Sequence, residues 1–145
     1  MEKVTEEFAA GCFKTGIDCS QIVFGHCAGK LGLDEKQAMR ISSPFGGGMW
    51  HAETCGCVIG ALMAIGLKHG NDEANQPDIK QNMLAKKVEF ETRFKEKNKS
   101  LICREILGYD LSKEEEMKII MDKGLLFSVC PRVVVSACQI LDEVL

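Results

Sequence analysis

The chain has 145 residues, 18 basic and 21 acidic side chains, a net charge of −3 and eight cysteines. A chain of this length can bury a core large enough to fold without a covalent staple, so stability does not explain the cysteines. Basic and acidic residues are interspersed, which excludes a basic face for nucleic acid or an anionic membrane.

The N-terminus, Met1 to Glu7, lacks the cationic start and apolar stretch of a signal peptide, which points to a cytoplasmic protein. Val4 to Lys14 reads as an amphipathic segment ending at Gly16. Asp18 is the expected N-cap of a helix from Cys19 to Lys30, stopped by Gly32. Asp34 and Gln37 have capping-box spacing before Ala38 to Ile41, and Pro44 ends that short helix. Gly46, Gly47 and Gly48 then make a flexible connection to Thr54, the expected N-cap of a helix that closes at His69 and Gly70. Gly56, Gly60 and Ala64 recur at every fourth place on that helix, so another backbone can approach its small-residue face. Its other faces are apolar, as in a central helix. The stretch is also too short to cross a bilayer, which takes about 20 residues, and no membrane span is expected.

After Pro77, the capping-box pair Asp78 and Gln81 opens a helix to about Asn98, with Ile79, Met83, Phe90 and Phe94 on its inner stripe. Ser100 caps a short turn through Cys103 to Leu107, ended by Gly108. Ser112 and Glu115 open a further helix that closes at Gly124. The last helix is expected to begin at Pro131, which suits a first helical position, and Val134, Cys138, Leu141 and Leu145 keep helical spacing after it. The expected fold is an all-α, compact bundle of about six to seven helices in one domain over 1–145, with the apolar helix 54–69 at its centre.

Position sorts the cysteines. Cys19, Cys55, Cys103 and Cys130 fall at predicted helix starts, where free N–H groups and the positive end of the dipole favour a thiolate. Thiolates are nucleophiles and metal ligands, so these residues are the candidate catalytic, cofactor-binding and metal-binding set, and they are expected to converge in one pocket. Cys55 is expected to be the most reactive. Cys12, Cys27, Cys57 and Cys138 lie inside predicted helices, where burial as small hydrophobes is the simpler reading. No pair has C-x-x-C spacing, which removes the usual support for thioredoxin-like chemistry and zinc ribbons. C-x-x-C-H is also absent, so covalent haem is not expected.

An ordered set of motifs runs through most of the chain: Cys19-Ser20-Gln21, Phe45-Gly46-Gly47-Gly48-Met49, Thr54-Cys55-Gly56-Cys57-Val58-Ile59-Gly60-Ala61, Cys103-Arg104-Glu105-Ile106-Leu107-Gly108 and Cys130-Pro131. This set resembles the C_GCAxxG_C_C family of redox-active proteins. The resemblance carries the family's characteristic cysteines onto Cys19, Cys55, Cys103 and Cys130, and implies an oxidoreductase or electron-transfer protein. The chain departs from the pattern at Cys57, where the family motif has alanine; a small-residue replacement is the simpler reading and an extra metal ligand the other. Similarity to the iron-sulfur domain of split-Soret cytochromes implies a cluster without the haem-binding part.

Two neighbouring features bear on the site. The triple glycine lacks the lysine and serine or threonine of a P-loop, and reads as a hinge or close-packing loop. His51, four residues before Cys55, can complete a metal site but is more simply a surface histidine. Three functions therefore compete: a redox or electron-transfer module with an iron-sulfur cluster, a thiol-disulfide oxidoreductase or redox sensor without metal, and a non-redox domain with structural zinc. A redox partner protein is implied without being identified, and a homodimer is left open.

Overall fold

A computed structural model describes residues 3–145 and shows an all-α fold. Eight α-helices follow in chain order: α1 Glu6–Lys14, α2 Cys19–Ala28, α3 Glu35–Ser42, α4 Gly56–His69, α5 Pro77–Asn98, α6 Cys103–Leu107, α7 Glu114–Asp122 and α8 Leu125–Val144. The count exceeds the expected six to seven because short segments such as the five-residue α6 close as helices of their own. No strand forms among the described residues, and the only extended pairing there is an isolated antiparallel bridge between Thr54 and Ile102.

Local chemistry sets several helix starts. Thr5 accepts the Phe8 N–H at 3.1 Å to begin α1. Asp18 and Gln21 form a reciprocal capping box at α2, with the Asp18 N–H donating to Gln21 Oε1 at 2.9 Å. Asp34 accepts the Gln37 N–H at 3.0 Å at the start of α3. Four expected caps are displaced: the N-cap of α4 is Cys55 instead of Thr54, that of α5 is Gln76 with no side-chain cap from Asp78, that of α6 is Ile102 instead of Ser100, and that of α7 is Lys113 instead of Ser112.

The larger correction concerns α8. It begins at Leu125, straight after the left-handed Gly124, so Pro131 lies inside the helix and not at its first position. Proline there removes one intrahelical bond, the one its N–H would make to the carbonyl of Phe127. Phe127 is exposed, so that carbonyl can turn to water, while Leu125, Leu126 and Val129 gain apolar contacts by being helical.

Every residue of α2 is buried, and it shares the centre of the bundle with α4. The two pack closely because of Gly60: a Cβ there would lie 2.7 Å from the Ser20 carbonyl oxygen. Buried polar groups on α2 find partners in the surrounding helices. Ser20 Oγ donates to the Ser42 carbonyl at 2.8 Å, Gln21 Nε2 donates to the Met39 carbonyl at 3.0 Å, and His26 Nε2 meets Asp142 at 2.8 Å. Phe90 and Phe94 of α5 close the main core, whereas Ile79, Leu84 and Val88 of the same helix stay exposed, so the inner stripe is buried only in its C-terminal half.

The buried apolar residues fall into two clusters. The larger draws on α1 to α5 and most of α8; the smaller comprises Ala52, Cys103, Leu107, Leu111 and Ile120, with α7 and the start of α8 packed on it. α8 is also the one helix among the described residues long and apolar enough to cross a membrane by length and composition, but Val134, Ala137, Cys138 and Leu141 face the core of the bundle.

Candidate functional site

Between the two clusters lies a cavity of about 420 Å³ whose wall includes five thiols: Cys19, Cys55, Cys57, Cys103 and Cys130. Backbone pairing explains part of this meeting. The Cys55 N–H donates to the Leu101 carbonyl at 2.7 Å and the Cys103 N–H to the Glu53 carbonyl at 2.6 Å, so the start of α4 is tied to the start of α6. Arg104 reinforces the tie by donating to the Ala52 carbonyl and to Glu53, each at 3.1 Å.

Cys19, the first residue of α2, lies where small side chains are required. A Cβ on Gly56 would collide with its sulfur, and one on Gly46 would lie 2.6 Å from the Asp18 Cβ. The triple glycine is thus a close-packing element, and the segment after it is an ordered left-handed turn instead of a flexible tether. Gly47 and Gly48 have positive φ, and so do Met49 at 60°, Trp50 at 57° and Ala52 at 57°. Non-glycine residues held there each cost on the order of 1–3 kcal/mol, and such strain gathers at functional sites. The turn delivers the Gly47 N–H to the Cys19 sulfur and sets Trp50 at the cavity wall. It leaves His51 exposed and outside that wall, so the structure does not bring this histidine to the thiols.

The sulfurs are electrostatically unequal. Cys19 accepts hydrogen bonds from the Cys55 and Cys57 thiols and from the Gly47 and Ser20 N–H groups, which hold its thiol well below the ordinary 9.0 against the opposing effect of burial. Donating to Cys19 pushes Cys55 well above 9.0, and Cys57, which donates to both Cys19 and Cys55, is pushed up as well. Burial, then the charge on Cys19, raises Cys103 to about 12; the same causes raise Cys130. A helix-start thiolate is therefore favoured at Cys19 alone. Cys55 is a donor to it, contrary to the expectation that Cys55 is the most reactive. Cys130, inside α8, has no helix-start position to stabilise its charge, and α6, which carries Cys103, is too short to offset burial.

Two residues gain importance only in three dimensions. Cys57, read as a small-residue replacement, is a member of the hydrogen-bonded thiol group. Its spacing of two from Cys55 was the available signal. Asp18, read only as a cap, also lines the cavity, and burial together with the neighbouring Cys19 charge raises its carboxyl to about 6. Cys27 and Cys138 are buried thiols raised by burial to about 11 and about 12, as befits core residues.

The family model described as "Putative redox-active protein (C_GCAxxG_C_C)" matches residues 17–144. The chain belongs to this C_GCAxxG_C_C family. No curated protein and no solved structure matches it. Membership makes the chain a cysteine-bearing member of a redox-active family, and the four cysteines onto which the resemblance carries that family's pattern, Cys19, Cys55, Cys103 and Cys130, all line the cavity.

Thiolates are the donors that zinc and iron-sulfur clusters take, so the chemistry of the set fits such a group. Its geometry is not that of a finished ligand shell: among the described residues, no group of three or more His, Cys, Asp or Glu side chains is arranged to hold a metal ion. Cys19, Cys55 and Cys57 share the cavity wall and shift one another's pKa values.

Proposed function

We propose that this C_GCAxxG_C_C protein is a thiol-based redox module in which Cys19 and Cys55 cycle between dithiol and disulfide. One observation carries the reading: Cys19, at a helix start, shares the wall of one cavity with Cys55 and Cys57, and these thiols and nearby backbone N–H groups lower its pKa. Lowering the pKa of this thiol favours its nucleophilic thiolate form, and Cys55, in the same cavity wall, is placed to resolve an adduct formed on it. Closing the disulfide from the Cys19 thiolate and the Cys55 thiol gives two electrons to an oxidised partner and releases the Cys55 proton. Cys57 holds the Cys19 charge in place and is the second thiol within reach. Eight free thiols suit a reducing compartment, in keeping with a cytoplasmic location.

Mild oxidation of the folded protein, followed by digestion and mass spectrometry, tests the pair. A Cys19–Cys55 linkage that persists in Cys57→Ala is expected. Eight free thiols after oxidation, or a linkage that avoids Cys19, would overturn the assignment.

A second reading is favoured by the assembly of all four family cysteines around a single cavity. In that reading Cys19, Cys55, Cys103 and Cys130 hold an iron-sulfur cluster, with Cys57 as a fifth thiol, and the cluster supplies one-electron transfer when bound. Iron with acid-labile sulfide in protein purified without oxygen would support it, and zinc without sulfide would point to a structural site.

A further inference from the structure

Resting on the dithiol reading, we propose that the cavity admits an uncharged, apolar organic disulfide as the oxidant of Cys19 and discriminates against charged ones.

Its mouth is formed by exposed lining residues, Trp50, Met121 and Phe127, and its deep end by the buried Cys19, Cys55 and Cys57. The walls between are apolar, with Leu107, Leu111 and Val133 among them. Among the described residues no lysine, arginine or histidine lines the space, and the one carboxyl among them that does, Asp18, opposes an anion. Lys14 stacks on the Phe127 ring, 5.9 Å from its centroid, and so belongs to the rim. A charged disulfide entering this space loses its water without gaining a counter-ion, whereas an apolar one loses little and gains buried contact. The volume, about 420 Å³, lies in the usual range for small-molecule sites.

A disulfide is the fitting acceptor because exchange with a thiolate needs no resident cofactor. The Cys19 sulfur attacks one sulfur of R–S–S–R, forming the mixed disulfide Cys19–S–S–R and expelling RS⁻. Cys55 loses its proton, attacks the Cys19 sulfur and expels the second RS⁻. Both leaving groups take up protons. The substrate gains two electrons and two protons to become two RSH; the protein supplies both electrons and the Cys55 proton in becoming the Cys19–Cys55 disulfide, and solvent supplies the second proton because Cys19 reacts as the thiolate.

Two chromogenic reagents separate the substrate class from the redox reading: the neutral dithiodipyridine and the dithiobis-nitrobenzoate dianion. Their rate ratio on the native protein is compared with that on a short cysteine peptide at the same pH. The native protein should favour the neutral reagent by about tenfold or more beyond the peptide's ratio, and release two pyridinethiones as the Cys19–Cys55 disulfide forms. A cation at the mouth in addition to Lys14, Met121→Lys, should reduce that preference about threefold. If both reagents produce the disulfide at the peptide's ratio, the substrate class is wrong while the dithiol reading stands. If neither produces it, the dithiol reading fails and this inference fails with it.

Discussion

The two apolar clusters differ in how they are closed. The larger is sealed by side chains with no exposure, Phe90, Phe94 and Ala64 among them, and by the backbone-close contact of α2 with α4 at Gly60. The smaller rests on five buried residues, of which only Ile120 is a large side chain with no exposure, and its edge carries exposed Ile119, Met121 and Phe127. Cys19, Cys55 and Cys57 belong to the larger cluster and Cys103 to the smaller, with Cys130 packed on the latter. Cys19 is thereby held by the firm side of the molecule while the other wall of its cavity belongs to the side with less buried surface, which should open at lower free energy.

Substitutions that remove core volume test this contrast most strongly. Phe94→Ala should cost about 3–5 kcal/mol in chemical denaturation and lower the stability of the whole chain, because its ring stacks with Phe90 at a centroid distance of 5.8 Å in the main core. Ile120→Ala should cost about 2–4 kcal/mol, with amide protection lost first in α6 and α7 and largely kept in α2. Equal loss of protection in α2 and α7 would show that the clusters unfold as one unit. Gly60→Leu should destabilise by about 1–3 kcal/mol or more through the α2–α4 contact, and an unchanged melting temperature would sink that account of the packing.

Smaller effects follow from the thiols. The folded protein holds Cys27 near 11 and Cys103 and Cys138 near 12, against 9.0 for an ordinary thiol. These raised values make stability complete below pH 9 and progressively lost above it, as the unfolded chain ionises while the folded one keeps its protons. The depressed Cys19 acts in the opposite sense: its contribution is present above the ordinary thiol value and is lost as pH falls through its lower folded value. Denaturation midpoints measured from pH 7 to above pH 9 should therefore decline at the alkaline end, and a flat profile there would contradict the burial of these thiols. The smallest change is Cys57→Ala, which restores the family residue. It should leave Cys19 the first cysteine to be alkylated but move its reactivity to higher pH, since one hydrogen bond to the sulfur is removed. Site-resolved alkylation by mass spectrometry reads this directly.

Alkylation also bears on how much of the site was legible in the chain. Capping chemistry drew attention to Cys19 through Asp18, and the small-residue repeat at Gly56, Gly60 and Ala64 pointed to the helix contact that surrounds it. The same capping logic misplaced Cys130, because Pro131 satisfies a local rule for a helix start that the apolar burial of Leu126 and Val129 outweighs. It also ranked Cys55 as the most reactive, whereas the surroundings lower the Cys19 thiol and raise that of Cys55. Cys57 looked like a filler because burial is the common fate of a helical cysteine.

The sequence by itself determined the all-α class, most helix ends and the family motif, since each depends on residues within a few positions of one another: a cap, a glycine, an apolar repeat. Only the tertiary structure decided which sulfur has its pKa lowered and which residues share its cavity. Those outcomes depend on groups from α2, the left-handed turn at Gly47 and the start of α4 meeting at hydrogen-bond range, where a thiol acts as donor or acceptor according to its neighbours and not to its place in the chain.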